Sequence, residues 1–214
     1  MFTKSLVAAL ALAATVVALG SAVHPASANL ITNWDFSANA SKYTTYPGYD
    51  STSPNPSNPK GWLVAGAGVN GHSGVNGPDT GFSGEPFAPA STTGVADFAF
   101  LQHPGEFISQ GVATAKGHAY TLAFDGAARN GNSSAVLEVI VTDDVSGKQI
   151  YKFTPSLTTS KFKAFTLNFT ATSGLTNIKF LNNSKPGVGS TADVSDVSLA
   201  SNRSRAKNHE KSKK

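Results

Sequence analysis

The sequence predicts an all-β fold, a sandwich or barrel. Three observations carry this. Apolar and polar residues alternate from Val95 onward, turn-forming clusters recur at intervals of roughly ten residues, and no stretch beyond residue 28 keeps a 3.6-residue apolar repeat for three turns.

About nine or ten strands are expected, near 30–36, 61–65, 95–101, 106–113, 118–126, 134–143, 149–154, 161–170, 175–182 and 192–199. HAYTLAFDGAA places Tyr120, Leu122 and Phe124 on one face, and SAVLEVIVTD places Leu137, Val139 and Val141 on one face with Glu138 on the other. KFKAFTLNFTA puts Phe165, Leu167 and Phe169 inward and Thr166, Asn168 and Thr170 outward. These are half-buried strands. Asn130-Gly131, the run Asp143 to Gly147, Pro155 and Ser173-Gly174 supply the turns between them.

Residues 1–28 have the three regions of a secretory signal peptide: Lys4, the apolar run Leu6 to Leu19, and the small residues Ala26-Ser27-Ala28. The apolar run is short for a membrane span, and no later segment has eighteen consecutive apolar residues. The expectation is export to the extracellular space, the cell surface or the periplasm, with no transmembrane segment in the mature chain. Removal of 28 of the 214 residues leaves 186, a length that suits one domain with a sizeable core. There is no cysteine, so disulfides and thiolate chemistry are excluded, and an exported chain without disulfides points to a bacterial source.

The net charge of +4 is unevenly placed. Residues 201–214 hold six Lys or Arg and one Glu, a charge of +5, while residues 29–200 hold ten basic and twelve acidic residues, a charge of −2. The tail is too polar to fold alone and reads as disordered, either solubilising the protein or holding it on an anionic polymer. The near-neutral body has no basic stripe with interleaved aromatics, which argues against nucleic acid as a partner.

The interval 38–94 reads as a long loop, rich in Gly, Pro, Asn and Ser, with GVNG repeated at Gly68–Gly71 and Gly74–Gly77. It carries Tyr43, Tyr46 and Tyr49 at every third position, then Trp62, Phe82 and Phe87. A carbohydrate site needs exposed aromatic plates for the C–H faces of sugars, beside groups that both donate and accept hydrogen bonds. Tyr43, Tyr46, Tyr49, Phe82 and Phe87, with Asn70 and Asn76 and, at the rim, Arg129 and Asn130, provide those types. The competing reading is that half of them fold the loop onto the sandwich. Trp62, in GWLVAG, is expected to enter the core.

Catalytic chemistry has little support. GHSGV (71–75) and GFSGE (81–85) both lack the second glycine of the G-x-S-x-G elbow. His72, His103 and His118 show no metal-ligand spacing, and Asp143-Asp144 sits in a hairpin-turn context.

NLITNWDFS at residues 29–37 and ADVSDVSLA at residues 192–200 resemble the terminal segments of galactose-binding-like jelly-roll domains, a superfamily that includes many carbohydrate-binding modules. The matching positions are Asn29, Leu30, Ile31, Asn33 and Phe36, then Gly61 and Trp62, then Val194, Asp196, Val197, Ser198 and Leu199. The resemblance covers nearly all of residues 29–200. It implies a jelly-roll β-sandwich whose first strand closes against its last, and a polysaccharide or cell-surface glycan as partner. Many such domains tie these two segments together with calcium through two carboxylates, and this sequence has Ser37 and Ser195 at those positions. The resemblance thus implies an absent or weakened site, with Asp35 or Asp193 as a candidate replacement. No other cofactor is expected.

The reading from sequence is a noncatalytic, secreted, carbohydrate-binding sandwich. Its alternatives are a self-associating matrix protein that adheres through its tail and, less favoured, a polysaccharide hydrolase using Glu85, Asp97 or Glu106.

Overall fold

The computed structural model describes residues 28–44, 46, 48, 58–66, 73–81, 88–89, 96–186 and 190–202. Among these residues ten strands form two antiparallel five-stranded sheets. In chain order they are β1 (Leu63–Gly66), β2 (Ser73–Asn76), β3 (Phe98–Leu101), β4 (Glu106–Ala113), β5 (Ala119–Ala128), β6 (Leu137–Asp143), β7 (Gln149–Phe153), β8 (Lys163–Thr170), β9 (Leu175–Asn182) and β10 (Ala192–Ser201). One sheet has the order β1-β4-β9-β6-β7 and the other β2-β3-β10-β5-β8. The chain is an all-β sandwich, as the alternation predicted.

The core lies between the sheets. Ile108, Val139, Val141, Ile178 and Phe180 from the first sheet meet Leu101, Leu122, Phe124, Leu167, Val194 and Leu199 from the second, all buried in one cluster. Phe124 and Phe180 meet edge-on across the sheets with ring centroids 5.1 Å apart. Trp62 is also in this cluster, as expected, and its indole N–H donates to the Asn33 carbonyl at 3.1 Å.

Two strand expectations need correction. Residues 30–36 form a turn, not a strand. Asn33 and Phe36 have φ of 51° and 57°, in the left-handed region, which ends any extended run. The segment still closes against the last strand, as the resemblance implied, but through separate bonds: Leu30 N donates to Leu199 O at 3.0 Å and Val197 N to Trp34 O at 2.9 Å. Between these contacts β10 shifts register at Ser195 to Ser198, with Asp196 at φ 50°. The second correction is β2, inside the interval read as loop. SGVN lacks a strand-like pattern, and it is held by pairing to β3 and by Val75 N donating to Gly48 O at 3.1 Å.

Candidate functional site

The aromatic residues proposed as sugar plates are dispersed. Tyr43 follows a 3-10 turn, Ala40–Lys42, and is fully buried in the main core, so it is not an exposed plate. Asn76 on β2 is likewise fully buried. Tyr46 is 71% exposed. Arg129 and Asn130 follow the end of β5, where Arg129 N donates to Thr191 O and Asn130 N to Ala88 O. Tyr49, Asn70, Phe82 and Phe87 lie outside the described residues. Among the described residues no two of these aromatics stand together on an exposed surface.

The outer face of the β2-β3-β10-β5-β8 sheet is closed over its β3–β10 portion. Alternation puts Phe98 and Phe100 of β3, Asp193 of β10 and Ala127 of β5 on that face, and all are at most 1% exposed. Part of the 38–94 interval covers them. A Cβ at Gly74 would fall 2.1 Å from Gly48 O, so the chain at Gly48 lies directly on β2. Ala88 packs in a second small cluster with Phe98, Ala127 and Phe162.

Two buried carboxylates belong to this side. Asp193 has no hydrogen bond to either carboxylate oxygen, and burial holds its pKa well above the usual carboxylate range, with the Arg129 charge opposing the shift. Asp97 accepts from Asp79 N at 3.1 Å. Burial pushes its pKa up to about 6, against that hydrogen bond and with help from the Asp79 and Asp35 charges. Asp97 and Glu106, two of the three residues offered for hydrolysis, are buried away from any polymer, and Glu85 lies outside the described residues. Glu106 accepts from Ser73 Oγ and His103 N.

Ser195 Oγ donates to Asp97 O at 2.7 Å, and Ser37 Oγ donates to Asp35 Oδ1 at 2.9 Å. The hydroxyls at the two expected carboxylate positions are thus engaged elsewhere, and both oxygens of Asp193 lie without partners on the closed face. Among the described residues no three His, Cys, Asp or Glu side chains come together in a way that could hold a metal ion.

The outer face of the other sheet is partly exposed; the sequence left open whether the 38–94 loop or a sheet face binds, and named none of this face's residues as candidates. Ala65, Phe107, Leu181 and Glu138 form one row across β1, β4, β9 and β6, and Leu63, Ser109, Lys179, Ile140 and Lys152 form the next, reaching β7. Leu63 is 55% exposed, and Phe107, Lys179, Leu181 and Ile140 are all partly exposed. The Lys179 ammonium lies 4.4 Å from the centroid of the Phe107 ring. Buried Glu138 accepts from Lys152 Nζ at 2.7 Å and from Asn183 Nδ2 at 3.0 Å. The arrangement is an apolar floor of Phe107, Leu181, Ile140 and Leu63, bordered by an acid–amide–amine group and crossed by an ammonium. The signal was present in the sequence as apolar runs that break strict alternation: Phe107-Ile108, Val139-Ile140-Val141 and Phe180-Leu181.

A separate cavity of about 490 Å³ opens at the end of the sandwich among Leu30, Ala113, His118, Tyr120 and Ser201, with a mostly apolar lining. Its Tyr120 hydroxyl already accepts from Ala115 N.

No family model matches the sequence, and no curated protein matches it. Solved structures do resemble the fold. TmCBM61, solved in complex with β-1,4-galactotriose, is 14% identical over 82% of this chain and 99% of its own, with a TM-score of 0.52. The enzymatically active domain of bacteriophage CBA120 tailspike protein 4 is 13% identical over 81% of this chain and 21% of its own, with a TM-score of 0.51. A CBM4 module is 20% identical over 80% of this chain and 99% of its own, with a TM-score of 0.49. At such identities the likeness of the two with TM-scores above 0.5 shows the fold alone, an antiparallel two-sheet β-sandwich.

Proposed function

We propose that this protein is a noncatalytic carbohydrate-binding sandwich that takes polysaccharide on the open outer face of the β1-β4-β9-β6-β7 sheet. The observation that carries the reading is the partly exposed apolar floor of Phe107, Leu181, Ile140 and Leu63 beside the Glu138–Lys152–Asn183 group. Pyranose rings offer a C–H face to the floor and hydroxyls to the polar border. The complex of the similarly folded TmCBM61 with a galactotriose supports a glycan as ligand. Export after loss of residues 1–28 fits such a role, and among the described residues no helix is long and apolar enough to cross a membrane.

The test is polysaccharide pull-down with three variants. Phe107→Ala should weaken binding by about tenfold or more, a loss of roughly 1.4 kcal/mol or greater. Tyr46→Ala should leave it unchanged. Loss with Tyr46→Ala and none with Phe107→Ala would move the site back to the loop. Turnover of a polysaccharide, abolished by Asp97→Asn or Glu106→Gln, would overturn the noncatalytic reading.

The self-associating alternative has one specific observation in its favour. Among the described residues β8 is an edge strand of eight residues, paired only to β5, with no charge or proline from Ala164 to Thr170. Such an edge is a template for another strand. Sedimentation that shows a wild-type dimer, abolished by Thr166→Lys, would favour assembly through β8.

A further inference from the structure

We infer that the ligand of the open face is a polyuronate, a polysaccharide bearing carboxylates, and that Lys179 is the residue that selects it. The inference rests on the reading of that face as a glycan site and goes beyond it by fixing the charge of the sugar.

Lys179 sits at the middle of the floor, opposite Ser109 on β4 and Ile140 on β6. Its contact is with the Phe107 ring, and among the described residues no carboxylate forms an ion pair with it. Lys179 is therefore, among the described residues, an ammonium without a carboxylate, resting on apolar surface beside the plate a sugar would use. A neutral sugar stacked on Phe107 must displace it and gains no charge in return. A uronate satisfies both groups at once: its C–H face covers the ring and its carboxylate takes the ammonium.

Lys152 extends the same logic along the row. Lys179, Ile140 and Lys152 occupy successive strands, so the roots of the two lysines stand about 10 Å apart. Lys152 is half exposed and spends one donor on Glu138, leaving N–H groups for a second carboxylate on the same polymer. The acid of this border is thereby neutralised by its own lysine. Asp144 approaches the face only at the far side, where its Oδ2 is 3.4 Å from a Cβ placed on Gly111. The positive side of the face is thus the β9–β7 side.

The test compares polygalacturonate with neutral β-1,4-galactan by affinity electrophoresis and titration calorimetry on the full chain. The variants are Lys179→Gln, Lys179→Arg and Phe107→Ala, with unchanged near-ultraviolet circular dichroism as the check on folding. Wild type should prefer polygalacturonate by about tenfold or more, Lys179→Gln should lose that preference but keep galactan binding, Lys179→Arg should retain it, and Phe107→Ala should weaken both. Equal binding of the two polymers, untouched by Lys179→Gln, overturns the polyuronate inference while leaving the glycan site standing. Binding of neither polymer, nor of any other polysaccharide, overturns both. Preference that persists in Lys179→Gln but vanishes at about 0.5 M salt assigns the attraction to the basic tail and overturns the role of Lys179.

Discussion

Asn29 is tied to Val197, 168 residues away, by a hydrogen bond of 3.0 Å from its Nδ2 to the Val197 carbonyl. Its Oδ1 accepts from Leu199 N at 2.9 Å and from Ile31 N at 3.0 Å. One amide side chain therefore takes up the backbone groups that the irregular stretch of β10 leaves unpaired, and it fixes the start of the chain to its last strand. Asn29→Ala should cost about 1–3 kcal/mol, a fall of roughly 3–10 °C in Tm for a chain of this size. Asn29→Asp, which keeps the acceptor and loses the donor, should cost less by thermal melting. An unchanged Tm in both variants would show that water replaces these bonds.

Trp62 links the same N-terminal turn to the core. Its ring lies 5.4 Å from Phe36 and 6.1 Å from Phe180, centroid to centroid, while its N–H holds the Asn33 carbonyl. Phe36 is a bulky residue at φ 57°, a strained conformation that its full burial against Trp62 offsets. Trp62→Ala should remove about 3–5 kcal/mol by chemical denaturation. Trp62→Phe should cost roughly 1–2 kcal/mol, because the ring is nearly kept and the Asn33 carbonyl loses its donor. Equal losses in the two variants would mean that the hydrogen bond, not the packing, anchors the turn.

Strands such as β5, β8 and β9 were legible because each buries one face against the core, and a half-buried strand writes that fact into the sequence with period two. β2 was not, since Ser73 and Gly74 carry no apolar pattern and its position depends on a chain segment at Gly48 more than twenty residues earlier. The turn at Asn33 to Phe36 was read as a strand for the opposite reason. Trp34 and Phe36 alternate with Asp35 in a strand-like way, and only the irregular β10 they dock on reveals the turn. Aromatics in a Gly-rich interval suggest exposure, yet Tyr43 packs inward while Tyr46 is exposed. Phe107 of the proposed floor is hidden in the sequence among residues that read as core.

Gly74 shows how close the covering segment sits. A Cβ there would fall 2.1 Å from Gly48 O and under 3 Å from the Phe100 ring, contacts that no ordinary side chain tolerates. Gly74→Ala should push the chain at Gly48 off β2 and cost about 1–3 kcal/mol, with faster hydrogen exchange at Val75 N. Binding on the opposite sheet should be unaffected. Loss of glycan binding in this variant would instead tie the covered face to the ligand.

The carboxylates set a pH dependence with opposite signs on its two sides. For Asp97, with a folded pKa near 6 against 3.8 unfolded, the folded state binds more protons than the unfolded state between those values. Its contribution therefore falls as pH rises through that window, and the same direction holds for Asp193, whose pKa lies well above 3.8. Asp143 behaves in the reverse manner. The Thr172 hydroxyl and the Ser146 and Val145 amides hold its pKa down at about 2, so its stabilisation is complete above 3.8 and is lost as pH falls toward about 2. Asp193→Asn should accordingly raise Tm at neutral pH, with a gain over wild type that shrinks on acidification, because the protonated aspartic acid and the amide are both neutral in the fold. Asp143→Asn should lower Tm at neutral pH, and its deficit should shrink below about pH 4. Melting curves of wild type and both variants from about pH 7 to about pH 3 decide the matter. A constant gain for Asp193→Asn across that range would show that packing rather than charge burial is what the substitution changes.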